Sequence, residues 1–457
     1  MEPLTQNKMT VPQRLIIMGL GVLLLGMAFG IAGSLQYVIP GLFKSFLSFE
    51  KIRPLHVSST VFWILLAASG GVLSYVNEYA GNLFSPRLAQ WQWVVFAISI
   101  VLILGSYILG IFGGREYWEF HPVLAIPVLA GWLLFAINVV RSTFKLNERP
   151  VYVWMWLTGA VGFLFVFTES YLWELPYFQK NIVRDMTVQW KSYGSLVGCW
   201  NMLVYGSGMY LMEKISKDKS YARSRVAFAL FFLGLVNMMF NWSHHLYALP
   251  ILPFVKHIGY LISMTELYIL GRIIFKWKNS IEAAIKFEHL LPYRFLLAAD
   301  LWIFLNLVLA LLISVPGINL YTHGTHITVA HVMGTTIGIN SMILMAVATD
   351  VLDNTCRSLR PYRKQITIGL LTANASLIVF LGALTIAGIK RALWQMGDRH
   401  TTFAEMIKDS TPYFIVFSTA GVVLFAGFCV MVYPLMKNVL SCHYYSYSKS
   451  TIIPCQQ

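Results

Sequence analysis

The residues of this chain best suited to chemistry are histidines in places where histidines are rare. His331 lies inside a long apolar run, and a second run ends in the adjacent pair His244 and His245. An imidazole in hydrocarbon costs free energy unless it binds a metal, moves a proton or finds a partner. One histidine alone on an apolar face is ordinarily a core residue bonded to a backbone carbonyl. His121, His257, His289, His400 and His443 sit in loops, tails or at helix ends and are read in that way. The pair taken together with His331 points instead to a metal-bearing membrane enzyme. Adjacent helix positions differ by about 100°, so His244 and His245 can share a metal only at a helix end or with favourable rotamers. Their place just before Pro250 suits a helix end.

The elements that must position these rings are apolar throughout. Of 457 residues, 57% are hydrophobic and 12% charged, against roughly 45–50% and 25% in a soluble domain. Stretches of about 20 apolar residues, enough to cross hydrocarbon, are expected near 14–39, 54–77, 90–113, 121–140, 151–172, 188–213, 224–248, 255–275, 292–316, 323–350, 366–389 and 412–436. That predicts an all-α polytopic membrane bundle of about twelve helices. Residues 1–457 form a single transmembrane domain, with short cytoplasmic tails at 1–13 and 438–457. A lipid-exposed sheet would leave backbone groups unpaired.

The net charge of +14 follows the membrane rather than nucleic acid. With the N-terminus in the cytoplasm, about two thirds of the 34 Lys and Arg residues face that side, notably between Lys214 and Arg225, Arg272 and Arg294, and Arg357 and Lys364. This is the positive-inside pattern, and it makes the lipid bilayer the partner and excludes a nucleic-acid role. The first apolar run is too long for a signal-peptide core and is read as a membrane helix. The five cysteines form no CxxCH, so the chain attaches no c-type haem of its own.

Depth follows from position along each run. His56 comes early in the second run, Tyr193 early in the sixth, His244 and His245 late in the seventh, and His323, His326 and His331 in the first part of the tenth. All fall in the outer half of the membrane, as does the loop after the third run, which carries Arg115, Glu116, Glu119 and His121.

Arg53-Pro-Leu-His56, GREYWEFHP from Gly114 to Pro122, WSHHLY from Trp242 to Tyr247, Glu266, and YTHGTHITVAH from Tyr321 to His331 carry a family likeness. Over nearly its whole length the chain resembles the catalytic subunit of bacterial cytochrome c-dependent nitric oxide reductase, of the haem-copper oxidase superfamily. The resemblance implies a low-spin haem b with His56 as an axial ligand and a high-spin haem b held by His331. It further implies a non-haem iron held by His244 and His245, and a calcium site using Glu116. Glu119 would be an acid on a proton route from the outer face, and Glu266 a buried acid near the metals. Imidazole suits Fe(II), and buried carboxylates are the expected proton carriers. Glu266 can equally be a carboxylate hydrogen-bonded to its neighbours.

The sequence departs from that family in two places. The sixth run lacks the histidine and glutamate that complete the iron site. In the gapless register Tyr193, Val197 and Asn201 take the places of that histidine, a ligating glutamate and a second glutamate. A register four residues earlier puts Gln189 and Tyr193 in the first two slots. The iron shell would then be His244, His245 and an oxygen from Tyr193 or a water, unless Tyr193 only hydrogen-bonds within the bundle. Second, Met333 stands where the family has the other low-spin ligand. Two residues turn a helix by about 200°, so one helix can serve two haems, and a His/Met pair raises the reduction potential. His326, about 10 Å along the axis, is the rival ligand, and simple packing is the alternative for Met333.

The expected activity is reduction of nitric oxide to nitrous oxide beside a small c-type cytochrome subunit, in the bacterial inner membrane with the site toward the periplasm. Nitric oxide dismutation, oxygen reduction and a non-catalytic haem protein for electron transfer or gas sensing are the competing readings.

Overall fold

The computed structural model describes residues 9–262, 264, 289–353, 358–397 and 401–450. Among the described residues eleven long helices carry the fold: α1 Val11–Val38, α2 Phe49–Ala80, α3 Pro86–Ile108, α4 Ala125–Thr143, α5 Val151–Glu169, α6 Ile182–Ser216, α7 Arg225–Phe240, α8 Leu290–Ser314, α9 His326–Leu352, α10 Arg363–Met396 and α11 Thr411–Ser450. Among the described residues ten spans are long and apolar enough to cross a membrane. The eleventh helix, α6, falls outside that set, and it carries Gln189, Lys191, Ser192 and Ser195 in its first half and Asn201 just past its middle. Of the span expected near 255–275, residues 253–262 are helical and most of the rest lies outside the described residues. The helix of α11 continues to Ser450, beyond the membrane-length span that ends at Asn438.

Helix boundaries follow local chemistry. The Ser85 hydroxyl accepts from the Leu88 N–H ahead of α3, and the Asn181 side chain accepts from the Val183 and Arg184 N–H groups at the start of α6. These caps satisfy donors that have no partner inside the helix. Gly81, at φ 81°, ends α2 in a backbone conformation that only glycine adopts freely.

Small residues set the packing, as expected where lipid removes most of the hydrophobic drive between helices. On α1, Gly19, Gly26, Gly30 and Gly33 face α2, and a Cβ added at Gly26 would come within 2.9 Å of Ser59 Cβ. Gly159 of α5 likewise meets the Cys199 carbonyl of α6, and Gly369 of α10 meets the Gly427 carbonyl of α11. The centre of the bundle is α2, whose Phe62, Trp63, Leu65, Leu66, Val72 and Tyr75 are fully buried.

Polar groups collect at the two ends of the bundle. One end holds His56, His245, His323 and His326. At the other, Lys214 of α6 pairs with Asp350 of α9 at 2.9 Å and Glu78 of α2 at 3.1 Å, and the Tyr75 hydroxyl donates to Asp350 at 3.2 Å. Asp350 is only 6% exposed, so removing its cation strands a buried charge. Lys214→Met should lower the thermal unfolding midpoint in detergent by several degrees, and Lys214→Met with Asp350→Asn should recover part of the loss. Equal midpoints for the single variant and the parent would show that this lock carries no stability.

Candidate metal centre

The histidine pair lies where helix geometry breaks. After Phe240, α7 tightens into a 3₁₀ segment, Asn241–Leu246, which turns about 120° per residue. His244 and His245 end up with ring centroids 4.3 Å apart. The helix end that the sequence required is therefore present. Two glycines of α6 allow this segment to sit close: a Cβ at Gly194 would come within 2.7 Å of Trp242 Cβ, and one at Gly198 within 2.7 Å of Met238 Cγ. Ser195 reinforces the contact by donating to the Met238 carbonyl at 2.7 Å.

Trp190, one turn before Gly194, stacks flat on His245 at 4.5 Å with an interplanar angle of 8°. The His245 Nδ1 lies 3.2 Å from His323 Nε2. His331 is within electrostatic reach of His245. Histidines from two distant parts of the chain thus share one neighbourhood. Neither the stacking of Trp190 nor the contact with His323 was foreseen from the sequence, although an indole four residues before a glycine that faces the pair is a usable signal. Among the described residues no group of three or more His, Cys, Asp and Glu side chains already forms a complete metal shell.

Tyr193, 3% exposed, is placed differently. Its ring packs on Tyr117 at 5.3 Å, toward the loop that follows α3. Asn201, in the slot of the second expected glutamate, accepts from Asn340 of α9 at 3.0 Å. It joins two helices.

The loop after α3 is tightly wound. The Gly113 and Gly114 N–H groups both donate to the Glu119 carbonyl at 3.1 Å, and Tyr117 takes φ 72°, a costly conformation for a residue with a side chain. Trp118 anchors the loop against Phe62 and Phe167. The loop projects charge onto two helices: Arg53 of α2 pairs with Glu116 at 2.7 Å and Glu119 at 2.9 Å, and Arg115 pairs with Asp185 of α6 at 2.7 Å. Arg53, known from the sequence only as part of a motif, is the shared counter-ion of both acids. Burial pushes the Glu119 carboxyl above its usual range, and the Arg53 charge pulls it back.

His56 has one ring nitrogen tied to the backbone. Its Nδ1 lies 2.8 Å from the Gly26 carbonyl of α1 and donates to it, which leaves the lone pair on Nε2. Gly30 clears the ring, since a Cβ there would come within 2.8 Å of Nδ1. On α9, Met333 is partly buried against the core. His326 lies between Tyr37 and Phe414, and its Nδ1 is buried with no hydrogen-bond partner. Directly after Met333 the helix widens into a π segment, Gly334–Ser341. The α8 side chains Asn306 and Trp302 press on it at Gly334 and Gly338. In the amide orientation that satisfies both groups, Asn306 donates to the His331 carbonyl at 3.1 Å. Such π segments recur at functional sites. Glu266 lies outside the described residues. A cavity of about 250 Å³ lined by Tyr247, Lys256, His257 and Pro316 adjoins the segment after the pair.

A family profile described as cytochrome c and quinol oxidase polypeptide I matches residues 11–423. The chain belongs to this family. As a haem-copper oxidase subunit I, it is a membrane-spanning oxidoreductase polypeptide of a family that binds haems and a catalytic metal. It is 23% identical to the cbb3-type cytochrome c oxidase subunit CcoN1 of Stutzerimonas stutzeri, over 94% of this chain and 93% of that one. It is also 23% identical to a nitric oxide reductase subunit of the same organism, over 69% of each chain. A chain of a haem-copper terminal oxidase dimer solved by cryo-electron microscopy superposes with a TM-score of 0.72 at 14% identity, covering 94% of this chain and 84% of that one. That likeness establishes the fold. The residues present fit the family's groups: an imidazole with one nitrogen held by a carbonyl suits a haem, and adjacent imidazoles at a helix end suit a metal.

Two outcomes test this geometry. Gly30→Ala should displace His56 and lower haem per chain, whereas Gly21→Ala, where a Cβ meets nothing within 4 Å, should not. Pyridine haemochrome assay of both variants checks this. Because the folded carboxyl of Glu119 binds its proton more tightly than in the unfolded chain, the associated stability is present at low pH and lost as pH rises. Its infrared carboxyl band should titrate above the usual range, move higher in Arg53→Met and vanish in Glu119→Gln. A band that ignores Arg53 would refute the pairing.

Proposed function

We propose that this haem-copper oxidase family member is the catalytic subunit of a membrane nitric oxide reductase, taking electrons from a small c-type cytochrome subunit. Two nitric oxide molecules, two electrons and two protons give one nitrous oxide and one water. The observation that supports this reading is where the nearby tyrosines go. Tyr193 packs on Tyr117, and the Tyr247 hydroxyl donates to the Ser314 carbonyl at 3.2 Å. Reducing dioxygen to water takes four electrons and calls for a further oxidisable group at the metals. Nitric oxide reduction takes two, within the range of two iron centres.

In this reading His56 and Met333 would hold a low-spin haem b, His331 a high-spin haem b, and His244 and His245 a non-haem iron, with water completing its shell because Tyr193 turns to Tyr117. When bound, the irons supply electrons and hold the reacting nitrogen atoms. The protein groups supply the rest. Burial raises the Glu119 carboxyl while the Arg53 charge opposes that shift, and Glu119 is the candidate to pass protons from the loop side. Glu116, paired with the same arginine, is the candidate carboxylate for calcium. The charge bias of the sequence sets the histidine end toward the periplasm of a bacterial inner membrane.

A second reading has its own support. Asn201 is committed to Asn340 and cannot relay protons as a carboxylate would. Dismutation of two nitric oxide molecules to dinitrogen and dioxygen needs neither protons nor external electrons. Headspace analysis of the purified complex under anaerobic nitric oxide with a reduced cytochrome c separates the two. Nitrous oxide formed in step with cytochrome oxidation is expected, and dinitrogen with oxygen would favour dismutation. Oxygen uptake without nitric oxide turnover would overturn both. His331→Ala should abolish the high-spin haem spectrum and leave the low-spin one intact. Met333→Leu should alter the low-spin spectrum, and an effect of His326→Leu in its place would transfer that ligand to His326.

A further inference from the structure

A neutral imidazole that binds metal through Nε2 carries its proton on Nδ1, and that N–H needs an acceptor in a dry site. For His245 the α6 side chains against this segment offer none, because Trp190, Gly194 and Gly198 have no side-chain acceptor and their carbonyls lie within the helix. The acceptor comes from a different part of the chain. His323 Nε2 lies 3.2 Å from His245 Nδ1.

The chain places this ring by a break between two helices. A short helix, Pro316–Thr322, ends at His323, whose backbone is extended at φ −63° and ψ 133° and whose N–H donates to the Asn319 carbonyl at 2.9 Å. Gly324 then takes φ 74°, and α9 begins at His326 under a cap from the Thr325 hydroxyl. A residue in such a corner is released from helical periodicity, so its ring can point across to α7. Trp190 borders both rings, flat against His245 and edge-on to His323 at 5.9 Å. The indole restricts rotation of each ring about its own axis.

We infer that His323 is the positioning residue of His245. The His245 Nδ1–H donates to His323 Nε2, which leaves His245 Nε2 as the ligand atom and requires the His323 proton to sit on Nδ1. This assignment rests on the reading that His244 and His245 hold a metal. It differs from a third-ligand role, in which a His323 nitrogen would itself bind the metal, and it accords with the lack of a preformed three-residue shell among the described residues.

The test uses the full-length, haem-loaded protein. Fe(II) beyond the haem complement is measured against a competing chelator for the parent, His323→Leu, His323→Gln and His323→Ser, with haem per chain as the control for assembly. Loss of an outer-shell partner typically weakens metal binding about 10- to 100-fold, and His323→Leu should show a loss of that order. His323→Gln, whose side-chain oxygen accepts the same N–H, should recover most of it. If His323→Leu fails to assemble with haem, His323→Ser, polar but too short to reach His245, carries the same expectation. Iron held by the Leu or Ser variant as tightly as by the parent overturns the inference and leaves the metal site standing. Equal weakness in Gln and Leu overturns it in favour of direct ligation. A parent with no iron beyond its haems overturns the metal reading of the pair as well.

Discussion

The histidine end turns on one constraint: a ring nitrogen held in a low-dielectric bundle costs free energy unless something satisfies it. His56 answers it with the Gly26 carbonyl, and His245 with His323. Each of these contacts occupies one ring nitrogen, and in the proposed site the other is the ligand atom. The helices are arranged around that need. The α1 glycines let α2 bring His56 against a neighbouring backbone, and the α6 glycines let the 3₁₀ segment press in with its histidine pair.

The two ends of the bundle solve opposite problems. At the lysine end, charges neutralise one another across α2, α6 and α9, which ties those helices together with no vacancy for chemistry. At the histidine end the charges stand in the loop after α3, beside the rings instead of among them. Among the described residues the neighbourhood of the histidine pair is therefore furnished by imidazoles and aromatic rings, with the acids of that loop outside it. That arrangement suits a site where protons must arrive on demand without a standing charge next to the metal.

Helix α6 shows how a family site can be rebuilt. Its inward face carries an indole and two glycines where ligands were expected, and Asn201 has become a helix-packing residue. The corner that precedes α9 brings His323 to the pair, where its Nε2 lies 3.2 Å from His245 Nδ1. The π segment that follows His331 and Met333 takes the α8 side chains Asn306 and Trp302 against Gly334 and Gly338.

Much of this was legible in the residues themselves. Apolar run length determines how many helices form and where they start, because backbone groups in hydrocarbon have no alternative to intrahelical bonding. Position along those runs placed His56, His244, His245 and His331 at one level, and the adjacent pair demanded a helix end, which the 3₁₀ segment supplies. The direction of each side chain was not legible. Whether Tyr193 turns toward the pair or toward Tyr117, which atom accepts from His245, and which cation answers Glu116 and Glu119 all depend on the angles at which distant segments cross. Those angles come from close contacts at glycines and from loop corners such as Tyr117 and Gly324. Sequence periodicity says which face of a helix is apolar, while only tertiary packing decides what that face meets.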